Sequence, residues 1–245
     1  MLVFSKKKTK PFIIHAAGKP IFNPYWPAMI DLISFAKEVQ DDPRIHVMTC
    51  LFKDEKREND YKKVDQTLMF LERIKMKHTV LESCKSSWSN RDKIKIFYNH
   101  IKTVKSEFLL ALDCADVAVF NFPNPRILTD LACDMIFGAE RNFWPEGWNE
   151  QKTKEDQLSP GQTFKYLNSG MWFSKTEYAK QALEYMASQV DSELLQYQSS
   201  DQVLFKNFYV ENYPAVKIDS ECRVFANICH VRKEDGIFSC KKRFA

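Results

Sequence analysis

The chain has 245 residues, 44% of them hydrophobic and 28% charged, with a formal net charge of +4. So small a charge argues against a nucleic-acid partner, and the one basic cluster near the start, Lys6-Lys7-Lys8 with Lys10, reads as a solvated end. No apolar run approaches the length of roughly 18 residues that would suggest a transmembrane helix.

The 7 cysteines are odd in number and scattered, and none forms a Cys-x-x-Cys pair, so zinc-site spacing and a disulfide framework are not expected. The amino-terminal stretch lacks the basic, apolar and small-residue regions of a secretion signal. These features predict a cytoplasmic protein without a membrane span. The length fits one large α/β domain, and no Gly/Ser linker or internal repeat divides residues 1–245.

Taken in order, Phe12–Ala17 reads as a first buried strand running into Gly18. Pro27–Val39 carries apolar residues at helical spacing. Ile45–Phe52 is a second strand, Val64–Lys75 a helix and His78–Leu81 a short third strand. Lys93–Lys105 places Ile94, Phe97, Ile101 and Val104 on one face, the pattern of an amphipathic helix.

Phe108–Leu112 is an apolar run of strand length that ends in Asp113, and Val117–Phe120 is a second short apolar segment. Further strands are expected at Asp134–Glu140, at Tyr166–Phe173 with an interruption at Asn168-Ser169-Gly170, and at Cys222–Ile228. Asn149–Thr163 is polar and reads as an exposed loop, and Thr176–Ala187 as a helix. Ser199–Gln202 reads as the cap of a helix starting near Val203. Strand and helix alternate through the first half, which predicts an α/β fold with a mostly parallel sheet flanked by helices. Such sheets bind ligands at the carboxyl ends of their strands.

The pair Asp113 and Asp116 stands at such an end. A buried carboxylate needs a hydrogen-bond partner or a cation, and hard cations such as Mg²⁺ or Mn²⁺ favour carboxylates together with substrate phosphates. The turn therefore reads as a holder for a metal-diphosphate group. No phosphate-binding loop, Gly-x-Gly-x-x-Gly, Gly-x-Ser-x-Gly or His-Glu-x-x-His occurs, which sets aside the enzyme classes that carry them.

Four short signals remain: Asp113-x-x-Asp116, Phe137-Gly-Ala-Glu140 with Trp144-Pro145, Tyr166-Leu-Asn-Ser-Gly170, and Ser200-Asp-Gln202. In this order, with Ile218-Asp219 and Val224-Phe225-Ala-Asn227 after them, they resemble the glycosyltransferase domain of the procollagen lysyl hydroxylases and, more broadly, the collagen-type glycosyltransferases. The resemblance covers roughly residues 12–228 and implies a GT-A-like fold.

It also implies a hexosyltransferase that takes a UDP-sugar, UDP-glucose or UDP-galactose, and passes the hexose to a hydroxyl-bearing acceptor on a protein or glycan, hydroxylysine in the family. Mn²⁺ or Mg²⁺ is the implied cofactor, held by Asp113 and Asp116. A histidine completes the site in the family, from a His-Gly-Asn segment that has no counterpart here, and His230 is the downstream histidine expected in its place. Lys93, Asp113, Cys114 and Asp116 are the implied donor-binding residues. Asp201 and Asn168 are the implied catalytic residues, and Trp144, Gly170 and Gln202 the implied sugar or acceptor contacts.

Trp148 is a second aromatic candidate beside Trp144, and Glu140 is placed to support the site from behind. The family works largely in the endoplasmic reticulum lumen. Where it has an acidic run, this chain has Ser199-Ser200-Asp201, a single acid. That departure and the missing His-Gly-Asn segment motivate an alternative reading, a GT-A-like domain that has lost part of its catalytic apparatus and serves as a binding partner.

Overall fold

The computed structural model describes residues 11–16, 37–52, 66–83, 90–190 and 200–229. Nine strands are assigned among them: β1 (Ile13–His15), β2 (Ile45–Phe52), β3 (Thr79–Ser83), β4 (Phe108–Asp113), β5 (Val117–Val119), β6 (Met135–Glu140), β7 (Tyr166–Lys175), β8 (Val216–Ile218) and β9 (Phe225–Asn227). The helices are α1 (Gln66–Arg73), α2 (Asn90–Ile101), α3 (Arg126–Asp130), α4 (Asn149–Leu158), α5 (Thr176–Gln189) and α6 (Asp201–Glu211).

Six strands form one sheet in the order β3-β2-β4-β7-β6-β8. β2 pairs in parallel with both β3 and β4, and β6 with β8, while β7 runs antiparallel to β4 and to β6. Five strands therefore share one direction and β7 opposes them. This is the expected mixed, mostly parallel α/β sheet flanked by helices. A smaller sheet, β5-β1-β9, has β1 antiparallel to β5 and parallel to β9.

β4 lies inside the large sheet and is covered on both faces. That is why Phe108–Leu112 is apolar throughout rather than alternating. Because β7 runs backwards, its amino end meets the carboxyl ends of β4 and β6. Asp113, Glu140 and Asn168 consequently share one edge of the sheet.

Over that sheet, Phe137 of β6 packs edge-on against Phe205 of α6 at 5.1 Å between centroids, and Trp172 of β7 lies 6.2 Å from both Phe205 and Phe97 of α2. Burying these rings fixes α2 and α6 above β6 and β7. The amino-terminal turns of the two helices, with Lys93 and Asp201, are thereby brought to the same edge.

Several expectations need correction. Asn149–Thr163 is not an exposed loop: its first part is α4, with Gln151 and Glu155 buried. Its inward face is polar, so apolar periodicity gives no signal. Glu155 pairs with Lys206 of α6, both side chains fully buried, and also accepts a hydrogen bond from the Leu167 backbone at 2.9 Å.

β7 is continuous through Asn168-Ser169-Gly170, and the interruption appears instead as a register shift. Phe137 faces Trp172 while Gly138 faces Asn168, so Ser169–Met171 bulge out of the ladder with β6. β9 is shorter than Cys222–Ile228 because the Asp219 carboxylate takes the backbone N–H groups of Arg223, Val224 and Phe225. β8 and the short α3 were not expected. Of the helix expected at Pro27–Val39, residues 27–36 lie outside the described residues and 37–39 are not helical.

Candidate active site

The turn Asp113–Asp116 is fixed from below by one hydroxyl. Thr67 of α1 donates to the Asp113 carbonyl at 2.8 Å and accepts from the Val117 N–H at 3.0 Å. The two carboxylates then project differently: the Asp113 side chain is 33% exposed and that of Asp116 11%. The site thus presents one open and one recessed acid.

Lys93 enters from the first turn of α2. Its ammonium lies 2.7 Å from Asp113 Oδ1 and 2.6 Å from Asp201 Oδ2. Burial works against the charged lysine, but Asp113 and Asp201 outweigh it and raise its pKa further above the usual range. Asp201 is free to make this pair because Ser200 caps α6, accepting from the Gln202 N–H at 3.2 Å. Asp201 stands in the first turn, where the helix dipole favours an acid.

A histidine on β1 faces the acids from the other side. His15 Nε2 lies 3.2 Å from Asp116 Oδ1 and 3.8 Å from Asp113 Oδ2. Its Nδ1 lies 2.9 Å from Asn168 Oδ1, which also accepts the Gly170 N–H at 3.0 Å. Asn168 Nδ2 donates to Glu140 Oε2 at 3.3 Å, and Gln202 Nε2 donates to Glu140 Oε1 at 2.7 Å.

Burial alone would lower the His15 pKa, but the charges of Asp116 and Asp113 prevail and raise it to about 8. Glu140 moves up to about 7, chiefly through burial, against the opposing pull of Lys206, Gln202 and Asn168. Ligand atoms of His15, Asp113 and Asp116 all lie within 4.8 Å of one another, a possible metal site of one nitrogen and two carboxylate donors.

Of the residues expected from the sequence, Lys93, Asp113, Asp116, Asn168, Gly170, Asp201 and Gln202 converge here. Gly170 makes room for protein groups: a Cβ on it would lie 2.8 Å from both Asp113 Oδ2 and His15 Nδ1. Cys114 is buried in the turn. Trp144 is half-buried in the segment after β6, and Trp148 is buried at the start of α4. His230 lies outside the described residues. His15 was not among the expected site residues, although it carries the same signal as Asp113, a polar side chain at the carboxyl end of an apolar strand.

A family model described as the PLOD GT domain matches residues 75–243, more than half of the chain. The chain belongs to that family. It is a glycosyltransferase-family domain, and a glycosyltransferase needs a nucleotide-sugar donor and an acceptor. The matched span of the PLOD GT domain includes Lys93, Asp113, Asp116, Asn168 and Asp201; Thr67 and His15 precede it.

Among solved structures, the chain is similar to a glycosyltransferase involved in the glycosylation of the major capsid of PBCV-1, at 13% identity and a TM-score of 0.49, over 78% of this chain and 96% of that one. No curated protein matches. No described helix of this PLOD GT domain is long and apolar enough to cross a membrane.

Proposed function

We propose that this PLOD GT domain transfers a hexose from UDP-glucose or UDP-galactose to a hydroxyl-bearing acceptor on a protein or glycan, with a divalent cation at the Asp113–Asp116 turn. The observation that carries this reading is the meeting of Asp113, Asp116, Lys93 and Asp201 at the carboxyl edge of the sheet, in a chain of this family. In the transfer, the bond from the sugar anomeric carbon to the diphosphate oxygen breaks, a bond to the acceptor oxygen forms, and the acceptor proton leaves.

Asp113 and Asp116 suit a cation because a carboxylate oxygen of each lies within 4.8 Å of the other. Mn²⁺ or Mg²⁺ bound there supplies Lewis-acid stabilisation of the diphosphate leaving group. Lys93 adds a fixed positive charge beside the same group. Asp201, held by Lys93, stands as the acid that orients the sugar or receives the acceptor proton. The polar atoms of Asn168 are engaged with His15, Gly170 and Glu140, which supports a role in holding the site more than in contacting sugar.

The test is release of UDP from UDP-glucose and UDP-galactose, with and without Mn²⁺, in wild type and Asp113→Asn. Cation-dependent release that falls at least about 100-fold in the variant supports the reading. The competing reading, an impaired binding domain, draws on the commitment of the single acid Asp201 to Lys93. It predicts UDP binding without turnover, and absence of both turnover and nucleotide binding overturns the transferase reading.

A further inference from the structure

We propose that the imidazole of His15 completes the cation site with Asp113 and Asp116, and that Asn168 and Glu140 are positioning residues that aim it. This rests on the metal-dependent reading above and assigns the third ligand to the first strand, a segment outside the span matched by the family model.

The argument begins at Asn168. Its Oδ1 already accepts the Gly170 N–H, and its Nδ2 donates to Glu140, so the orientation of the amide is fixed by two partners. The contact between His15 Nδ1 and Asn168 Oδ1 at 2.9 Å therefore requires the proton on Nδ1. In the neutral ring, Nε2 then carries the lone pair.

That nitrogen is buried, makes no well-formed hydrogen bond among the described residues, and points at two carboxylates. Two anionic oxygens beside that nitrogen call for a positive charge there, which the ring's own Nε2 proton supplies while no cation is bound and which a divalent ion supplies in its place. A divalent ion fits the donor set, one imidazole and two carboxylates. Carboxylate- or carbonyl-backed histidines are the usual way a protein fixes the tautomer of a metal-binding imidazole.

Two further features serve the same placement. Gly170 has no side chain where a Cβ would collide with the imidazole and with Asp113. Gln202, in the first turn of α6, holds the other oxygen of Glu140 at 2.7 Å. The chain Gln202–Glu140–Asn168–His15 thereby connects the helix that carries Asp201 to the cation site.

The experiment uses the full chain stripped of metal and titrated with Mn²⁺. Affinity is read by equilibrium dialysis, and nitrogen coordination by the ¹⁴N modulation in pulsed electron paramagnetic resonance of bound Mn²⁺. Wild type is expected to bind with imidazole coupling. His15→Gln should lose that coupling and bind at least about 10-fold more weakly, and Asn168→Ala should weaken binding roughly 10- to 100-fold with every ligand still in place.

Gly170→Ala should act like His15→Gln by displacing the ring, and carries the test if His15→Gln fails to fold by circular dichroism. Retained coupling and affinity in His15→Gln, or a loss confined to His230→Ala, overturns the assignment while leaving a metal-dependent transferase standing. Absence of Mn²⁺ binding in wild type overturns both.

Discussion

Asp113 and Asp201 share a single ammonium group. Lys93 Nζ stands 2.7 Å from one and 2.6 Å from the other, so a strand end and a helix start are held together through a third element. With the lysine and Asp201 buried, removing the cation leaves an uncompensated charge in a low-dielectric site. Lys93→Met is expected to destabilise the fold by about 3 kcal/mol in urea titration. UDP-sugar turnover should fall in the same variant by about 100-fold or more. A stability change under about 1 kcal/mol would mean that the two acids do not depend on Lys93.

Glu140 gives the protein a pH dependence of definite sign. Its carboxyl group is raised from 4.5 to about 7, so the folded chain holds that proton more tightly than the unfolded chain. Its contribution is therefore complete at a pH below the unfolded value and is lost as the pH rises through about 7. The loss is on the order of 3 kcal/mol. Glu140→Gln should flatten the stability profile between about pH 5 and pH 8, followed by urea unfolding. A profile identical to wild type would show that another group sets the dependence.

The buried pair of Lys206 and Glu155 predicts a non-additive result. Both side chains are fully buried, at 3.1 Å, and the lysine also lies 4.6 Å from the centre of the Phe143 ring. Lys206→Met alone should cost about 3–5 kcal/mol by stranding Glu155. Adding Glu155→Gln should recover most of that cost, because no lone charge remains. Equal losses in the single and double variants would contradict the pairing.

Thr67 makes the Asp113–Asp116 turn depend on α1. Thr67→Val keeps the shape but leaves the Val117 N–H without its acceptor, a cost of about 1–3 kcal/mol. The turn should loosen with it, so the Mn²⁺ affinity of the site is expected to fall along with thermal stability. Normal Mn²⁺ affinity in a destabilised variant would confine the role of Thr67 to the fold.

The sheet was legible because its strands are apolar runs of the right length. Ile45–Phe52 and Met135–Glu140 needed only burial to form. The acids at the turn were legible for the complementary reason, since carboxylates at the end of such a run conflict with packing. α4 was hidden because it buries Gln151 and Glu155, and burial that relies on an ion pair leaves no apolar stripe. His15 carried the same local signal as Asp113, a polar side chain ending an apolar strand, but its partner Asn168 lies 153 positions away and no local pattern joins the two. The role of Gly170 was read only in part. The resemblance implied a sugar or acceptor contact there, but the groups that approach it are His15 and Asp113.

The placement of β1 bears on the order of assembly. It lies between β5 and β9, so its hydrogen bonds are to segments made much later than itself. During synthesis, His15 emerges well before Asn168 and Asn227 and waits for their strands to complete its surroundings. Contacts of such long sequence separation form slowly because their loops must close first. The β2-β3-β4 block, built from neighbouring segments, is placed to fold ahead of them. A nascent chain that has not yet reached β9 would hold Asp113 on a formed strand with β1 secured on its β5 side alone.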